Sequence, residues 1–438
     1  MSFFLKGVLV PHRKNTADKP VLRIEAPKTV KIPMSMHIGA PAKLLVKVGD
    51  TVKVGTLIGE ASGFISSDIY SSVSGKVIKI EDFALANGAK TQAVVIESDG
   101  EMSRDEALVP PSVNSAEELT EAIRKSGVVG LGGAGFPTYV KFKVDPARIE
   151  ELIINGAECE PYITSDSYTM TARAEDMEYA LAKIKEHFGI KKIIIGIEEN
   201  KKKAIASMKE MAGKIEGAEV KVLPSVYPQG GEKVLIYHTT KKVVPTGKLP
   251  IDVGCIVLNC TTLAAIGGYL RDGTPLVKKC VTVDGGAVKD PSNVIAPIGT
   301  SASELIELCG GFTEEPAKVL YGGPVMGIAV ADVNVPVIKN TNAIIALTEK
   351  EAKLPKTTAC IRCGSCTNTC PFGLAAAEIL RAYDKKDTEK LRALSVESCM
   401  ECGCCSFVCP ANRPLVQTNK LAKALLKEEN AKEASKNG

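Results

Sequence analysis

The sequence has few histidines and nearly balanced charge, and both shortages exclude classes of function. Its 438 residues include only four His. No Ser/His/Asp or Cys/His set for nucleophilic catalysis stands out, so we predict no catalytic side chain of that kind. Lys and Arg number 55 against 51 for Asp and Glu, and a net charge of +4 gives no support for nucleic-acid binding.

Membrane-spanning and secretory signals are also missing. No stretch reaches the ~18–20 uninterrupted apolar residues of a transmembrane helix. The best candidate, residues 251–270, contains Asp252, Asn259 and several glycines. The first ten residues lack a cationic region followed by an apolar core, so we expect no signal peptide. If the chain works at a membrane, we expect partners to hold it there.

What the sequence does contain is 14 Cys, eight of which form two identical runs with the spacing C-x-x-C-x-x-C-x-x-x-C-P. This spacing holds cubane iron–sulfur clusters in bacterial-type ferredoxins, and in two-cluster versions the fourth Cys of each run ligates the other cluster. We therefore predict two 4Fe-4S centres. The first takes Cys360, Cys363, Cys366 and Cys409, and the second takes Cys399, Cys402, Cys405 and Cys370.

Paired structural zinc sites and disulfides are the alternatives for these runs. Zinc sites usually use C-x-x-C pairs separated by a longer gap, whereas each run here is a triplet with a fourth Cys before Pro. Free thiolates require a reducing compartment, which indicates the cytoplasm. Cys404 lies between two predicted ligands and could exchange with Cys405, but we expect it to be a non-ligating neighbour.

The length predicts three or four domains at the usual ~100–200 residues each. Residues 21–96 are short β-type runs separated by glycines, with a hairpin signal at Gly49-Asp50. The two halves of this region look similar to the sandwiched barrel, or hammerhead, of biotinyl and lipoyl carrier domains. Ala-, Leu- and Lys-rich segments at 374–383 and 388–394 predict helices between the Cys runs, hence a helical ferredoxin domain.

A glycine-rich stretch, residues 130–138, follows a predicted helix that opens at residues 114–118, runs to about Lys125 and is stopped by Gly127. Dense glycine lets a backbone approach a phosphate with its N–H groups turned inward, and Lys141 can supply charge. An apolar strand at residues 149–154 then delivers polar residues at its carboxyl end, where ligands bind in open α/β sheets. Alone the loop is weak support, but together these features predict a ligand site.

A βαβ unit follows, with strands at residues 192–197 and 219–223 around a helix at 201–212. It predicts a parallel sheet. The chain then reaches two more polar turns that follow predicted strands, at residues 227–233 and 257–262. We therefore expect a Rossmann-like α/β domain in the middle of the chain.

Four segments resemble, in the same order, the FMN- and NADH-binding segments of the flavoprotein subunit of respiratory complex I: residues 130–141, 155–161, 230–235 and 259–263. The N-terminal hammerhead and the paired Cys runs narrow this resemblance to the C-subunit family of Rnf-type electron-transport complexes. It covers residues 3–414. In this family the segment after the flavin domain is similar to a soluble-ligand-binding β-grasp domain, which we expect to act as a spacer and docking surface.

The resemblance implies site residues position by position. Those at FMN-contacting positions are Gly130, Gly132, Lys141, Asn155, Glu158, Gly230, Glu232, Asn259 and Thr262, and the loop glycines Gly133 and Gly135 complete the predicted cofactor-binding set. Phe136 and Glu160 match positions that hold NADH. The chain departs from the complex I subunit at Leu131, where that subunit has Arg, at Ala157, where it has Asp, and at Gly231, where it has Glu.

The predicted multidomain α/β organisation has six parts. They are a barrel-sandwich hammerhead domain (1–105), an FMN/NADH domain (110–265), a β-grasp domain (266–315), a return segment (316–350), a two-cluster ferredoxin domain (351–414) and a polar helical tail (415–438) that we expect to be solvated.

By resemblance, the chain is a peripheral NAD(H)-binding subunit at the cytoplasmic face of a membrane complex. Electrons pass between NAD(H), FMN and the clusters, coupled in the complex to ferredoxin oxidation and Na⁺ or H⁺ translocation. A flavin is needed because NADH gives up an electron pair as hydride, whereas a cluster passes one electron at a time. The expected partners are the other subunits of the complex, including an iron–sulfur subunit, and ferredoxin by way of them.

Two other functions stay open. One is a cobalamin reductase that shares the flavin and cluster domains, although we expect its hammerhead-like module elsewhere than at the N-terminus. The other is an electron-wire subunit that has lost nucleotide activity, which the departures at Leu131 and Ala157 would allow. Flavin bleaching by NADH separates the oxidoreductase from the wire.

Overall fold

The computed structural model describes residues 6–436, and the side chains of residues 6–433. Residues 1–5 of the predicted hammerhead and residues 437–438 of the predicted tail lie outside this range. The mixed α/β class with helices at the C-terminus is confirmed. Within residues 6–436, no helix combines the length and the apolar character needed to cross a bilayer.

The hammerhead region consists of two small antiparallel sheets. A two-residue strand, β1 (Leu22–Arg23), precedes it and belongs to a different sheet. The strands of the region are β2 (Thr29–Pro33), β3 (Lys43–Leu44), β4 (Thr51–Val52), β5 (Leu57–Glu60), β6 (Ile69–Tyr70), β7 (Gly75–Ala84) and β8 (Lys90–Ser98). Their orders are β2-β8-β7-β4 and β3-β5-β6. Alternate residues such as Val30 and Ile32 are buried between the sheets, which is the period of a strand with one core face.

The middle of the chain is a parallel four-stranded sheet covered by helices. Its elements are α1 (Ala116–Lys125), β9 (Glu151–Gly156), α2 (Ser165–Ala172), α3 (Ala174–Phe188), β10 (Lys192–Glu198), α4 (Lys202–Gly213), β11 (Ala218–Leu223), α5 (Glu232–Thr240), β12 (Cys255–Asn259) and α6 (Cys260–Asp272). The order β11-β10-β9-β12 with every pair parallel confirms the predicted βαβ unit. Chain order reverses between β9 and β12, so the crevice at their carboxyl ends is the usual ligand position.

The region after the parallel-sheet domain, which we call the flavin-type domain, is built on a six-stranded sheet with two short helices. Its new elements are β13 (Lys278–Asp284), β14 (Ser292–Pro297), α7 (Ala302–Leu308), β15 (Lys318–Tyr321), β16 (Ile328–Val330), β17 (Ala343–Leu347) and α8 (Glu349–Ala352). The order β1-β14-β13-β17-β15-β16 unites β1 with strands from both the predicted β-grasp and return segments. The boundary drawn at residue 315 therefore falls inside one sheet.

The Cys runs lie in a helical region, as the sequence predicts. Its helices are α9 (Ser365–Thr369), α10 (Ala376–Asp384), α11 (Thr388–Ala393), α12 (Cys404–Phe407) and α13 (Leu415–Lys436). The expectation that the tail is a solvated end is wrong for its first half. Leu415, Ala422 and Leu426 of α13 are buried in this region, because their apolar side chains complete the core around α10 and α11.

The packing of α6 on α3 gives a test of the fold. A Cβ at Gly267 would overlap the backbone carbonyl oxygen of Asp176, which cannot move without shifting α3. We expect Gly267→Ala to destabilise the protein by about 1–3 kcal/mol through overpacking, seen as a lower midpoint in urea-induced unfolding.

Gly268→Ala is the matched control, because the atom nearest to its Cβ would be Nη2, at the end of the flexible Arg173 side chain and 2.6 Å away. Both substitutions gain about 1 kcal/mol of helix propensity. We expect Gly268→Ala to be neutral or stabilising. Equal midpoints for the two variants would contradict this account of the α3–α6 contact.

Candidate functional site

The predicted glycine loop lies against the N-terminus of α6. The backbone N–H of Leu131 donates to Thr262 Oγ1 at 2.9 Å. A Cβ at Gly132 would lie 2.9 Å from Asn259 Nδ2, so only glycine allows this close approach. Asn259 caps α6 by accepting from the Thr262 N–H at 3.1 Å. Loop and helix N-terminus, both carrying backbone N–H groups suited to anions, thus form one cradle.

The loop is closed on itself and open to solvent at its tip. Gly130 donates its N–H to the Phe136 carbonyl at 2.8 Å, and Gly135 donates to the Gly130 carbonyl at 3.1 Å. Gly132 and Gly133 are exposed, Gly135 is buried and Phe136 is half-buried. The tip is therefore available to a ligand, while the base is fixed.

The turn after β9 is joined to the turn before α5. Asn155 Nδ2 donates to the Gly230 carbonyl at 2.8 Å, and Asn155 Oδ1 accepts from the Ala157 N–H at 3.2 Å. Lys141 Nζ lies 2.9 Å from Glu232 Oε2 and donates to the Val257 carbonyl at 2.8 Å. The lysine expected to supply phosphate charge is thus paired with a second predicted site residue.

Glu158 is turned toward the start of α2. Its carboxylate accepts from the Asp166 N–H at 2.6 Å and from the Ser167 hydroxyl at 2.6 Å. Burial raises the pKa of the Glu158 carboxyl above its usual range. Asp166, which sequence reasoning missed, accepts from Asn259 Nδ2 at 2.7 Å and from Thr261 Oγ1 at 2.6 Å. No local pattern marks Asp166, because its role depends on how α2 meets α6.

Glu160 is a predicted site residue whose side chain contacts the loop at residues 325–326 rather than the glycine loop. Its carboxylate accepts from the backbone N–H groups of Val325, at 3.1 Å, and Met326, at 2.8 Å. Burial raises its pKa to about 7. The structure therefore places this expected NADH-contacting side chain against the loop between β15 and β16.

The structure shows what surrounds each of the three residues that depart from the complex I pattern. Leu131 and Ala157 are fully buried, at 1% and 0% exposure, so they pack in the core behind the cradle. Gly231 faces the second Cys run, and a Cβ there would overlap Met400 Cε. The end of the Met400 side chain, from the ferredoxin domain, thus occupies the position that a Cβ at residue 231 would take.

The eight predicted cluster ligands line two separate cavities. Cys360, Cys363, Cys366 and Cys409 line one. Cys370, Cys399, Cys402 and Cys405 line the other, together with Cys404. These are the two crossed groupings that the spacing predicts. We call them the outer and the inner set, because Cys360 and Cys363 are exposed whereas Cys402 and Cys405 are buried.

The two runs repeat the same backbone conformation. Arg362 and Glu401, each before the second Cys of its run, have φ of 56° and 62°, and Gly364 and Gly403 after it both have φ of 78°. Left-handed backbone is uncommon outside glycine, so its recurrence at equivalent positions is a specific feature. Glu401 N–H and Asn419 Nδ2 each lie 3.4 Å from Cys399 Sγ. Repeated thiol loops with N–H groups near sulfur fit a pair of like clusters.

The flavin-type domain contacts the inner set directly. The Tyr227 hydroxyl, buried at 2% exposure, donates to the Cys402 carbonyl at 2.7 Å. An N-terminal segment packs beside this contact. Val8 and Tyr227 exchange backbone hydrogen bonds of 2.8 and 3.0 Å. Cys404 Sγ is directed to the Tyr227 carbonyl at 3.8 Å. Sequence reasoning located this turn but not its contact with the second Cys run.

Lys14 fixes the loop that carries Glu158 and Glu160. Its Nζ donates to the carbonyls of Glu158 and Glu160, each at 2.8 Å, and of Ile163 at 2.6 Å. One side chain from the N-terminal segment therefore holds three peptide groups beyond the end of β9. No sequence pattern predicted this contact.

Four family models match the chain in the predicted order. They are the RnfC barrel sandwich hybrid domain (residues 2–101), the Nuo51 FMN-binding domain (123–268), the SLBB domain (280–329) and the 4Fe-4S dicluster domain (356–413). Fold and sites together define a flavin- and iron–sulfur-dependent electron-transfer protein, with FMN and two 4Fe-4S clusters as its cofactors.

Individual relatives narrow this class. The chain is 42% identical to the C subunit of the proton-translocating ferredoxin:NAD(+) oxidoreductase complex of Clostridium ljungdahlii, over 83% of this chain and 80% of that one. It is 41% identical to the C subunit of the Na(+)-translocating complex of Acetobacterium woodii, over 96% of both. The C subunit of the ion-translocating oxidoreductase complex of Rhodobacter capsulatus is 39% identical, over 98% and 84%. The chain belongs to the RnfC family, the C subunits of these complexes.

The position of Cys404 generates a prediction about cluster content. Because Cys404 Sγ points to the Tyr227 carbonyl, Cys404→Ser should retain about eight irons per chain, the content of two cubane clusters. Cys405→Ala removes a predicted ligand of the inner set and should lower the content to about four. Iron analysis of anaerobically purified protein measures both.

The result that would contradict the ligand assignment is the reverse pattern, in which Cys404→Ser loses half of the iron and Cys405→Ala keeps it all. Cys309→Ala is a suitable control, because this thiol is buried in the β-grasp core, away from both Cys runs.

Proposed function

We propose that this chain is the NAD(H)-binding subunit through which a ferredoxin:NAD⁺ oxidoreductase complex exchanges electrons with the nucleotide. The observation that carries the proposal is the contact between the Tyr227 turn and the inner Cys set. The residues around the flavin cradle and the inner ligands share one buried interface, made by Tyr227, Met400 and Cys402. A shared interface of this kind brings the two regions close together, which favours electron transfer between them.

The cofactors supply the redox chemistry, and the residues bind the cofactors and exclude water. FMN, when bound, supplies the exchange between a hydride pair and single electrons, and the clusters supply single-electron steps. The glycine loop, the α6 N-terminus, Asn155 and Glu232 would bind and orient the flavin. Val8, Val10 and Tyr227 exclude water from the contact with the inner set. We infer no proton-transferring side chain in this subunit, in keeping with hydride chemistry that belongs to the cofactor.

The two Cys sets differ in how deeply their residues are buried. The inner set lies at the flavin-domain contact, and the outer set opens to solvent through exposed Cys360 and Cys363. We infer that electrons use the inner set on the flavin side and the outer set on the partner side.

The surface beside the outer set supports docking of an iron–sulfur subunit. Every residue from 353 to 364 is exposed, and this stretch carries Lys353, Lys356 and Arg362 with no acidic residue. Leu354 is 80% exposed and Ile361 67% exposed. A basic rim with apolar side chains beside a redox centre suits a partner with an acidic surface. The adjoining Arg381 is already paired with Glu378 at 2.9 Å.

We place this partner contact in a complex whose remaining subunits meet ferredoxin and move Na⁺ or H⁺, the activities in the names of the relatives. The chain would then lie at the cytoplasmic face of the membrane, held there by its partners. Ferredoxin would reach it by way of other subunits.

An anaerobic NADH titration tests the function directly. We expect NADH to bleach flavin absorbance and then cluster absorbance of the purified protein, because the Tyr227 contact joins the two regions. Absence of any bleaching in FMN-replete protein would support the electron-wire alternative. Reduction of cobalamin as fast as reduction of an artificial dye would support the cobalamin reductase instead.

Charge reversal tests the docking surface. We expect Lys353→Glu, Lys356→Glu and Arg362→Glu combined to slow electron exchange with the rest of the complex roughly tenfold or more at low ionic strength, because steering by charge is lost. Glu is compatible with the left-handed backbone at 362, since Glu401 occupies the equivalent position.

NADH-driven reduction of the inner cluster within the isolated variant should stay at the wild-type rate, because none of the three substituted residues lines the inner set. Lys248→Glu, an exposed lysine outside this stretch, serves as the control. An unchanged rate of exchange between the triple variant and the complex would contradict the proposed surface.

A further inference from the structure

Three donors from three different parts of the chain hold alternate carbonyls of the glycine loop. Lys279 Nζ donates to the Leu131 carbonyl at 3.0 Å. Asn340 Nδ2 donates to the Gly133 carbonyl at 2.6 Å, and the Ile38 N–H donates to the Gly135 carbonyl at 3.0 Å. These donors come from β13, from the segment before β17 and from the hammerhead. The loop is therefore positioned by all three surrounding regions rather than by its own domain alone.

The ties fix the direction of the loop's N–H groups. In a trans peptide the carbonyl of one residue and the N–H of the next point in opposite directions. Tying the carbonyls of residues 131, 133 and 135 thus turns the N–H groups of Gly132, Ala134 and Phe136 away from the donors. Gly132 and Ala134 lie in the exposed tip. Backbone N–H groups left free in an exposed turn in this way are available to an anion.

Lys279 differs from the other two donors because it brings a buried charge. Lys279 is 3% exposed. Its pKa is lowered, because the effect of burial is larger than the opposite effect of the nearby Asp166 carboxylate. The titratable groups that face it are Asp166, Glu158, Cys260 and Cys280. Of these, Asp166 contacts the α6 N-terminus through Asn259 and Thr261, where its carboxylate would oppose an anionic ligand. The ammonium of Lys279 offsets that repulsion.

We propose that Lys279 is a positioning residue that makes the cradle selective for the phosphorylated flavin. It holds the Leu131 peptide and supplies the positive charge behind the loop, so its effect falls on the phosphate rather than on the ring system. This inference rests on the proposed flavin site. It assigns a residue of the β-grasp region to that site, and it gives the buried lysine a role beyond packing.

The test compares FMN with riboflavin, which has the same ring system and no phosphate. Protein freed of flavin is titrated with each, and dissociation constants are read from the quenching of flavin fluorescence. We expect Lys279→Met to weaken FMN binding roughly 10–100-fold, because both the hold on the Leu131 carbonyl and the positive charge behind the loop are lost. Riboflavin binding should change less than about threefold, within the context-dependence of a neutral contact. Lys279→Arg should recover most of the FMN affinity.

Lys339→Met is the matched control. Lys339 is a second buried lysine, but its Nζ donates to Ser67 Oγ and to the carbonyls of Asp68 and Gly127, not to residues 130–135. Its loss should lower stability without changing the ratio of FMN to riboflavin affinity. Should Lys279→Met fail to fold, Asn340→Ala releases the Gly133 carbonyl from a half-buried position and should lower the same ratio several-fold.

The outcomes are distinguishable. An equal loss for FMN and riboflavin, or no loss for either, would overturn the role of Lys279. Wild-type protein that binds neither flavin would instead overturn the proposed function.

Discussion

The structure depends on one buried contact, in which the turn after β11 packs on the second Cys run. Tyr227 donates to the Cys402 carbonyl, and Gly231 leaves room for Met400. A nucleotide that exchanges electron pairs and clusters that exchange single electrons can act together when the flavin region lies close to a cluster region, and this contact brings them together. A larger side chain at position 231 would displace the end of the Met400 side chain from this contact.

The N-terminal segment makes that contact stable. Val8 pairs with Tyr227, Lys14 binds three carbonyls beyond β9, and Thr369 Oγ1 donates to the Gly7 carbonyl at 2.6 Å. A segment far from both sites in sequence thus joins the flavin domain to the ferredoxin domain. Since buried backbone groups without partners are costly, these hydrogen bonds favour one arrangement of the domains.

Short sequence patterns predict the features that depend on neighbouring residues. The Cys spacing indicated the two crossed sets, and the apolar runs indicated the parallel sheet with its polar turns. What the sequence could not show depends on contacts across the chain: β1 joins a sheet built mostly after residue 277, Glu160 binds the loop at residues 325–326, and Lys279 reaches Leu131. The first half of α13 was expected in solvent because its composition is polar overall. Its few apolar residues complete a core that only the folded neighbours create.

The central claim is that the inner set lies between the flavin site and the outer set. It is tested most directly by removing one ligand from each set, with Cys363→Ala and Cys402→Ala, and following reduction of the remaining cluster by NADH with rapid-freeze electron paramagnetic resonance. The account predicts that the inner cluster of Cys363→Ala is reduced at the wild-type rate. The outer cluster of Cys402→Ala should stay oxidised on that timescale while dithionite still reduces it. Fast reduction of the outer cluster in Cys402→Ala would contradict the order of carriers described here.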